Sequence, residues 1–326
     1  MPTLSTLTTR PTRILGCDVG KSEIVIFDTA CGTCQSVPNR KPDLMRLARR
    51  LGQNCLVVCE ATGGYEAKLL AVMLSLGVPT HRGDARKIKS FIRSFGTLGK
   101  SDAIDAQALA CYGAERWNKL VLWQQPDPVR EELQALVRLR IDLVRQRQAH
   151  VNRLAAPQSG SVASVLKTLI RDIQKQVRAL EQQIRELIRS QPVLNRDAET
   201  LKTIPGIGDI TAQAITALMP ELGSLEGAQA ASLAGVAPHP HESGRRVGYR
   251  KTRGGRPDVK RALFMAALSA SRAAGPLSAF YQRLVQRGKK PIVALTALMR
   301  KLIVIANAKL RDARQITLQQ SKEQVS

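Results

Sequence analysis

The sequence predicts three parts: an α/β domain over residues 1–120, a coiled-coil helical hairpin over 121–195, and a mainly α domain with a helix-hairpin-helix motif over 196–326. Three observations predict them. Short apolar runs alternate with helical periodicity in the first part. Apolar residues recur seven apart in the second. The third is helical except for one long loop rich in glycine and arginine. With 44% hydrophobic residues, a chain of this length can build packed cores and is not a disordered basic tail.

In the first part, Ile14 to Gly20 reads as a buried strand running into a turn, and Glu23 to Asp28 alternates and should pair with it as a hairpin. Cys34 to Pro38 is a third strand. Pro42 to Leu51 is helical, with Leu44, Leu47 and Leu51 at helical spacing. Asn54 to Glu60 is a short apolar strand ending on an acid. Tyr65 to Leu76 is a helix, Val78 to His81 a strand, and Ser101 to Gly113 a helix with Ser101 as its N-cap. In the second part, Val137, Val144 and Val151 mark one arm, beside Leu136 and Leu143. Leu166, Ile173, Leu180 and Leu187 mark the other, beside Val162 and Leu169, and Pro157 to Gly160 breaks the two arms. In the third part, Ile204-Pro205-Gly206-Ile207-Gly208 precedes a helix from Asp209 to Met219. A Gly-x-Gly turn lets backbone come close to a phosphate, and the free N–H groups of the next helix face it; a plain turn between helices is the ordinary alternative.

A net charge of +24 attracts polyanions. Counterion release makes nucleic acid the expected partner. Aromatic residues are only 3% of the chain, so it should grip backbones more than stack bases. Met1 to Arg13 is Thr-rich with no apolar core, so no secretory signal is expected. Pro291 to Leu310 is apolar but interrupted by Arg300 and Lys301, so no membrane association is expected. Of the six cysteines, Cys17, Cys31, Cys34, Cys55, Cys59 and Cys111, only Cys31 and Cys34 have ligand-like spacing, and no second pair answers them. Several fall in apolar runs and read as reduced core residues, which points to the cytoplasm.

Four acids carry the chemistry. Asp18 ends the first strand and Glu60 ends a later interior one. Asp102 and Asp105, three apart, share a helix face. Any one of them alone reads most simply as a turn cap or a solvated first-turn acid. In the ribonuclease-H-like order of strand acid, strand acid, helix acids, they form a cluster that repels itself without a cation. Magnesium, a hard ion that takes oxygen ligands, fits that cluster. Two such ions would stabilise the attacking and leaving oxygens of a phosphodiester.

A second constellation begins at His239-Pro240-His241-Glu242-Ser243-Gly244 and continues through Arg245, Arg246, Arg250, Lys251, Arg253 and Arg256. Guanidinium groups grip phosphate bidentately and stabilise a transferring phosphoryl group. A serine here could attack phosphorus. From the loop alone, a serine that only donates a hydrogen bond to a bound phosphate is the simpler reading, because no activating base is identified.

The motifs Gly16-Cys17-Asp18-Val19-Gly20-Lys21, Glu60-Ala61-Thr62-Gly63-Gly64-Tyr65 and Gly99-Lys100-Ser101-Asp102-Ala103-Ile104-Asp105-Ala106, followed by Ile204 to Gly208, Glu242-Ser243-Gly244 and Gly288-Lys289-Lys290, resemble those of a known group. These are the insertion-sequence transposases with an N-terminal RuvC-like domain and a C-terminal serine domain, the bridge-RNA-guided recombinases. The resemblance covers about residues 12–310. It implies that Asp18, Glu60, Asp102 and Asp105 are a catalytic tetrad binding Mg2+, and that Ser243 joins covalently to DNA. It implies donor and target DNA as substrates, a bridge noncoding RNA that pairs with both, and a homo-oligomer, dimer or tetramer, that brings acids and serine together across protomers. Lys100, Gly206, Gly208, Arg245, Arg246, Arg250, Lys251, Arg253 and Arg256 are the expected nucleic-acid contacts. The expected place of action is the bacterial cytoplasm, at the nucleoid. The alternatives are a RuvC-like junction resolvase or nuclease, and a nonenzymatic nucleic-acid-binding protein.

Overall fold

The structure is a computed structural model that describes residues 6–323 apart from 53, 95–98, 100, 241, 244, 245 and 248–250, with the backbone alone at 242, 243, 246, 247, 317, 318 and 320–323. It divides into two compact units, Met1–Pro126 and Asp127–Ser326.

The first unit is built on a five-stranded sheet, β1 (Arg13–Val19), β2 (Glu23–Asp28), β3 (Thr33–Pro38), β4 (Cys55–Glu60) and β5 (Thr80–Gly83), in the order β3-β2-β1-β4-β5. β2 runs antiparallel to β1 and β3, while β4 is parallel to β1 and to β5. One strand, β2, is thus reversed within an otherwise parallel sheet. Strand residues alternate between faces. Leu15, Cys17, Val57 and Cys59 pack on one face with Leu44 and Leu47 of α1 (Lys41–Arg49) and Leu69 and Met73 of α2 (Ala67–Ser75). Ile14, Leu56 and Val58 pack on the other with Ile88 and Phe91 of α3 (Ala85–Ser94) and Leu109 and Tyr112 of α4 (Asp102–Arg116). The strands and helices read from sequence are therefore present, within a few residues at their ends. Helix α3 was not among them, although Ile88, Phe91 and Ile92 have helical spacing.

The second unit begins with a helical hairpin, α5 (Pro128–Leu154) and α6 (Ala163–Ser190). Then come α7 (Pro192–Lys202), α8 (Asp209–Leu218) and α9 (Gly227–Leu233). Four two-residue strands follow, β6 (Pro238–His239), β7 (Glu242–Ser243), β8 (Arg246–Val247) and β9 (Lys251–Thr252), and then α10 (Pro257–Arg272), α11 (Pro276–Gln286) and α12 (Pro291–Glu323). The base of the hairpin belongs to this unit's core: Leu133, Val137, Ile184 and Ile188 cluster with Leu201, Ile215, Leu263 and Leu302.

The hairpin seam is more polar than heptad spacing suggested. Leu166, Val177, Leu180, Ile184 and Ile188 of α6 are buried, but Val162 and Leu169 stand 49% and 40% exposed. On α5 the positions three beyond Val137 and Val144 are Arg140 and Arg147, whose guanidiniums bond Glu181, at 2.7 Å, and Gln174 across the seam. Helix α12 is long and apolar enough to cross a membrane by length and composition. Here it is a core helix: Leu298, Met299, Leu302, Ile303 and Ala306 are buried against its neighbours, with α7, α9, α10 and α11 packed around it.

Candidate functional site: an acidic sheet end and a basic serine loop

Strand alternation puts Gly16, Asp18, Val58 and Glu60 on the α4 side of the sheet, and the pairing of Cys17 with Cys59 makes Asp18 and Glu60 next neighbours at the ends of adjacent parallel strands. Helix α4 crosses β1 at close range because position 16 has no side chain. A Cβ on Gly16 would lie 2.0 Å from the Ala106 carbonyl oxygen and 2.4 Å from the Ala110 nitrogen. Farther along, Gly113 meets Ile14, Leu56 and Val58. The helix thus runs opposite to β1, and its N-terminal turn lies toward the strand end that carries Asp18. That turn holds Asp102 and Asp105, with Ser101 as N-cap accepting from the Ile104 N–H at 3.3 Å. Acids in a first turn are favoured by the helix dipole, so the local sequence stabilises both the helix start and its charge.

All four acids are therefore brought to one end of one sheet face. Asp18, Glu60 and Asp105 are half-buried and Asp102 is exposed. Their carboxylate oxygens are the donors a hard divalent cation takes. Among the described residues, however, no three Asp, Glu, His or Cys side chains converge into a ready-made metal cage.

Two further features at this end were not read from sequence. Glu66, 1% exposed, accepts from the Thr62 and Gly64 N–H groups and from Arg82. Burial alone would push its carboxyl up, but the backbone hydrogen bonds and the Arg82 guanidinium hold it below the usual range. Helix α3 starts two residues beyond Gly83, which pairs with Glu60, and exposes Arg86, Lys87, Lys89 and Arg93 with no acid in its length. Its inner face is fixed by Phe91 against Tyr112, with the Arg116 guanidinium 5.3 Å and 5.4 Å from the two ring centres. On the opposite sheet face, burial pushes the Cys59 thiol up to about 12, so it is an inert core group.

In the second unit, the base of the serine loop is closed by backbone. Pro238 pairs with Thr252 and His239 with Lys251. The Arg256 N–H donates to the Leu233 carbonyl at 2.8 Å. Gly235 and Gly255, both at positive φ of 72° and 70°, lie so close that a Cβ on Gly255 would sit 2.2 Å from the Gly235 nitrogen. Farther out, Glu242 pairs with Val247 and Ser243 with Arg246 in a two-pair antiparallel ladder. Lys251 and Arg253 are exposed. Arg256 is engaged inside the protein: it donates to the Leu218 carbonyl at 2.6 Å and forms an ion pair with Glu221. Lys100, Arg245 and Arg250, and the side chains of Ser243 and Arg246, lie outside the described residues.

The two turn glycines separate. Gly206, at φ 90°, faces α10, where a Cβ would lie 2.4 Å from the Ala266 carbonyl oxygen. Its freedom serves the approach of a helix, where the sequence suggested a phosphate. Gly208 has open space beside it and is the N-cap of α8.

A transposase profile of the DEDD IS110 type matches residues 15–157, and the profile of the IS116/IS110/IS902 transposase family matches residues 198–282. The pilin gene-inverting protein of Moraxella lacunata is 33% identical over 268 residues, which span 79% of this chain and 80% of that protein. That of Moraxella bovis matches at the same identity and coverage. The uncharacterized 43.6 kDa protein of insertion element IS110 from Streptomyces coelicolor is 32% identical over 164 residues, 49% of this chain and 40% of that protein. The structure of T. thermophilus RuvC in complex with Holliday junction substrate superposes with a TM-score of 0.27 at 14% identity over 34% of this chain and 99% of that one, a likeness that carries no argument. The two profiles, with relatives matched over four-fifths of their length, show that the chain belongs to the IS110/IS116/IS902 transposase family.

Proposed function

We propose that the protein is a DNA recombinase of a mobile element that cuts and rejoins DNA with two sets of groups, the acids of the first unit and Ser243 of the second. The observation that carries it is the gathering of Asp18 and Glu60 at adjacent strand ends beneath the helix turn that bears Asp102 and Asp105. Family membership supports reading that end as a metal-dependent phosphodiester site. Asp18, Glu60, Asp102 and Asp105 would hold magnesium, which when bound supplies Lewis-acid stabilisation of phosphate oxygens. The protein's own part is to hold four like charges in one place and to steer a strand toward them with nearby cations.

Ser243 is the proposed nucleophile. Its oxygen attacks a phosphorus, the bond to one deoxyribose oxygen breaks, and that oxygen leaves as a hydroxyl after taking a proton. The DNA end is then held as a phosphoserine ester until a new hydroxyl displaces the serine. Lys251 and Arg253, with Arg245, Arg246 and Arg250, are the proposed phosphate grips. Arg256, tied to Glu221, instead braces the base of the loop. A bridge RNA pairing with donor and target DNA would supply sequence choice, in keeping with the scarcity of aromatic stacking residues. The place of action is the cytoplasm, where the DNA is, and the working form is an oligomer.

The test uses labelled donor and target DNA with the element's RNA. Asp18→Asn or Asp102→Asn should reduce cleavage about 10³-fold, the scale of several kcal/mol of metal-ion stabilisation, with DNA affinity unchanged. Full activity in a strong chelator would contradict the acid site. Recombination to the same site without RNA would contradict the guide. If the centre is shared between protomers, a mixture of Asp102→Asn and Ser243→Ala chains should regain partial activity, whereas mixed oligomers that stay inactive exclude sharing.

A further inference from the structure

We propose that Asn39 and Glu66 are positioning residues for the acid site: together they clasp the loops that leave Asp18 and Glu60, and so set the spacing of the two strand acids. The inference rests on the reading of those acids as a metal site.

Asn39 is 3% exposed, between β3 and α1. Its Nδ2 donates to the Gly20 carbonyl at 3.0 Å and to the Tyr65 carbonyl at 3.1 Å. Gly20 is two residues beyond Asp18, and Tyr65 is five beyond Glu60. One carboxamide thus joins the two loops directly. Both partners are carbonyls, which only accept, so the amide can point only one way. The Asn39 backbone N–H donates to the Ser22 carbonyl at 2.8 Å, which seats it in the β1–β2 turn.

Glu66 acts on the second loop from within. One of its oxygens accepts from the Thr62 N–H at 3.2 Å, the Thr62 hydroxyl at 3.1 Å and the Gly64 N–H at 2.9 Å. The other accepts from Arg82 Nε at 2.8 Å. The loop after Glu60 is thereby folded back on one carboxylate and fastened to β5. A buried carboxylate with this many donors is satisfied, and removing a donor leaves an expensive group behind. Four acids at one sheet end repel one another. Two buried clasps on the adjoining loops oppose that repulsion at the backbone, without adding a side chain to the acid cluster.

A purely structural role predicts lower stability with unchanged metal affinity. The positioning role predicts weaker metal binding in variants that stay folded. The experiment measures Mn2+ binding to the full chain by electron paramagnetic resonance, without DNA, alongside thermal unfolding and DNA affinity. Asn39→Leu and Glu66→Gln should weaken Mn2+ binding tenfold or more, the usual scale for groups that orient metal ligands. DNA affinity should hold, because the basic surface is untouched. Should either buried variant fail to fold, Arg82 decides, since its side chain is 43% exposed. Arg82→Gln should weaken Mn2+ binding in the same direction, and Arg82→Lys should restore most of it. Asp18→Asn is the control and should abolish binding. If it does not, the acid site fails and the clasp loses its purpose with it. If Asp18→Asn abolishes binding while folded Arg82→Gln, and Glu66→Gln where it folds, bind Mn2+ like the parent, the clasp is overturned and the acid site stands.

Discussion

The two ends of the proposed reaction are built in opposite ways. The acids sit on regular structure: two strand termini, a helix first turn, and a glycine that lets helix and strand touch. The serine sits on four two-residue strands, held at the base by a glycine pair and one arginine. Like charges that must be kept together need a stiff frame, because the frame opposes their repulsion. A serine proposed to attack phosphorus needs reach to a phosphate, and a loop on a pinned base is suited to give it. The acid end should therefore fail through packing and the serine end through backbone conformation.

Gly16→Ala is the most damaging change this contrast predicts. Its Cβ has nowhere to go, because both nearest groups are helix backbone. The first unit should lose about 3 kcal/mol or more of stability, the upper range for overpacking, and Mn2+ binding with it. Denaturant unfolding measures this, and an unchanged midpoint would break the proposed packing of α4 on β1. Gly255→Ala comes next: its Cβ also meets backbone, 2.2 Å from the Gly235 nitrogen, but between two loop segments and not between a helix and a central strand. A side chain at φ 70° costs about 1–2 kcal/mol, and the close approach to Gly235 adds to it. Covalent capture of DNA should fall while Mn2+ binding at the acids is kept. Equal loss of both would erase the distinction between the two ends. The smallest effect belongs to α3. Lys89→Glu or Arg93→Glu should weaken DNA binding, and for every phosphate no longer neutralised the slope of log affinity against log salt should shrink by about 0.9. Unchanged slopes would remove α3 from the nucleic-acid surface.

The acid end was largely legible in the sequence. Apolar runs that stop on an acid, and a serine followed by two acids at helical spacing, are local signals, and the sheet keeps them local. What stayed hidden depends on distant partners. Nothing near Asn39 or Glu66 announces them, because their roles are fixed by which carbonyls and N–H groups the loops bring near. Gly206 was readable as a position needing freedom, but that α10 fills the space beside it is a tertiary fact. Arg256 was read with its basic neighbours, yet Glu221, thirty-five residues away, claims it. The seam of the hairpin misled for a related reason: apolar residues seven apart stand out in the sequence, whereas the arginines between them find their partners only across the seam.

Whether one reaction uses both ends is tested most directly by trapping the protein on DNA. A nicked suicide substrate is incubated with the protein, RNA and Mg2+, then denatured and separated by size. The account predicts a covalent protein–DNA band for the parent chain, no band for Ser243→Ala, and a band reduced about 10³-fold for Asp102→Asn or in chelator. A band that persists in Ser243→Ala, or one indifferent to Asp102 and to metal, would contradict it.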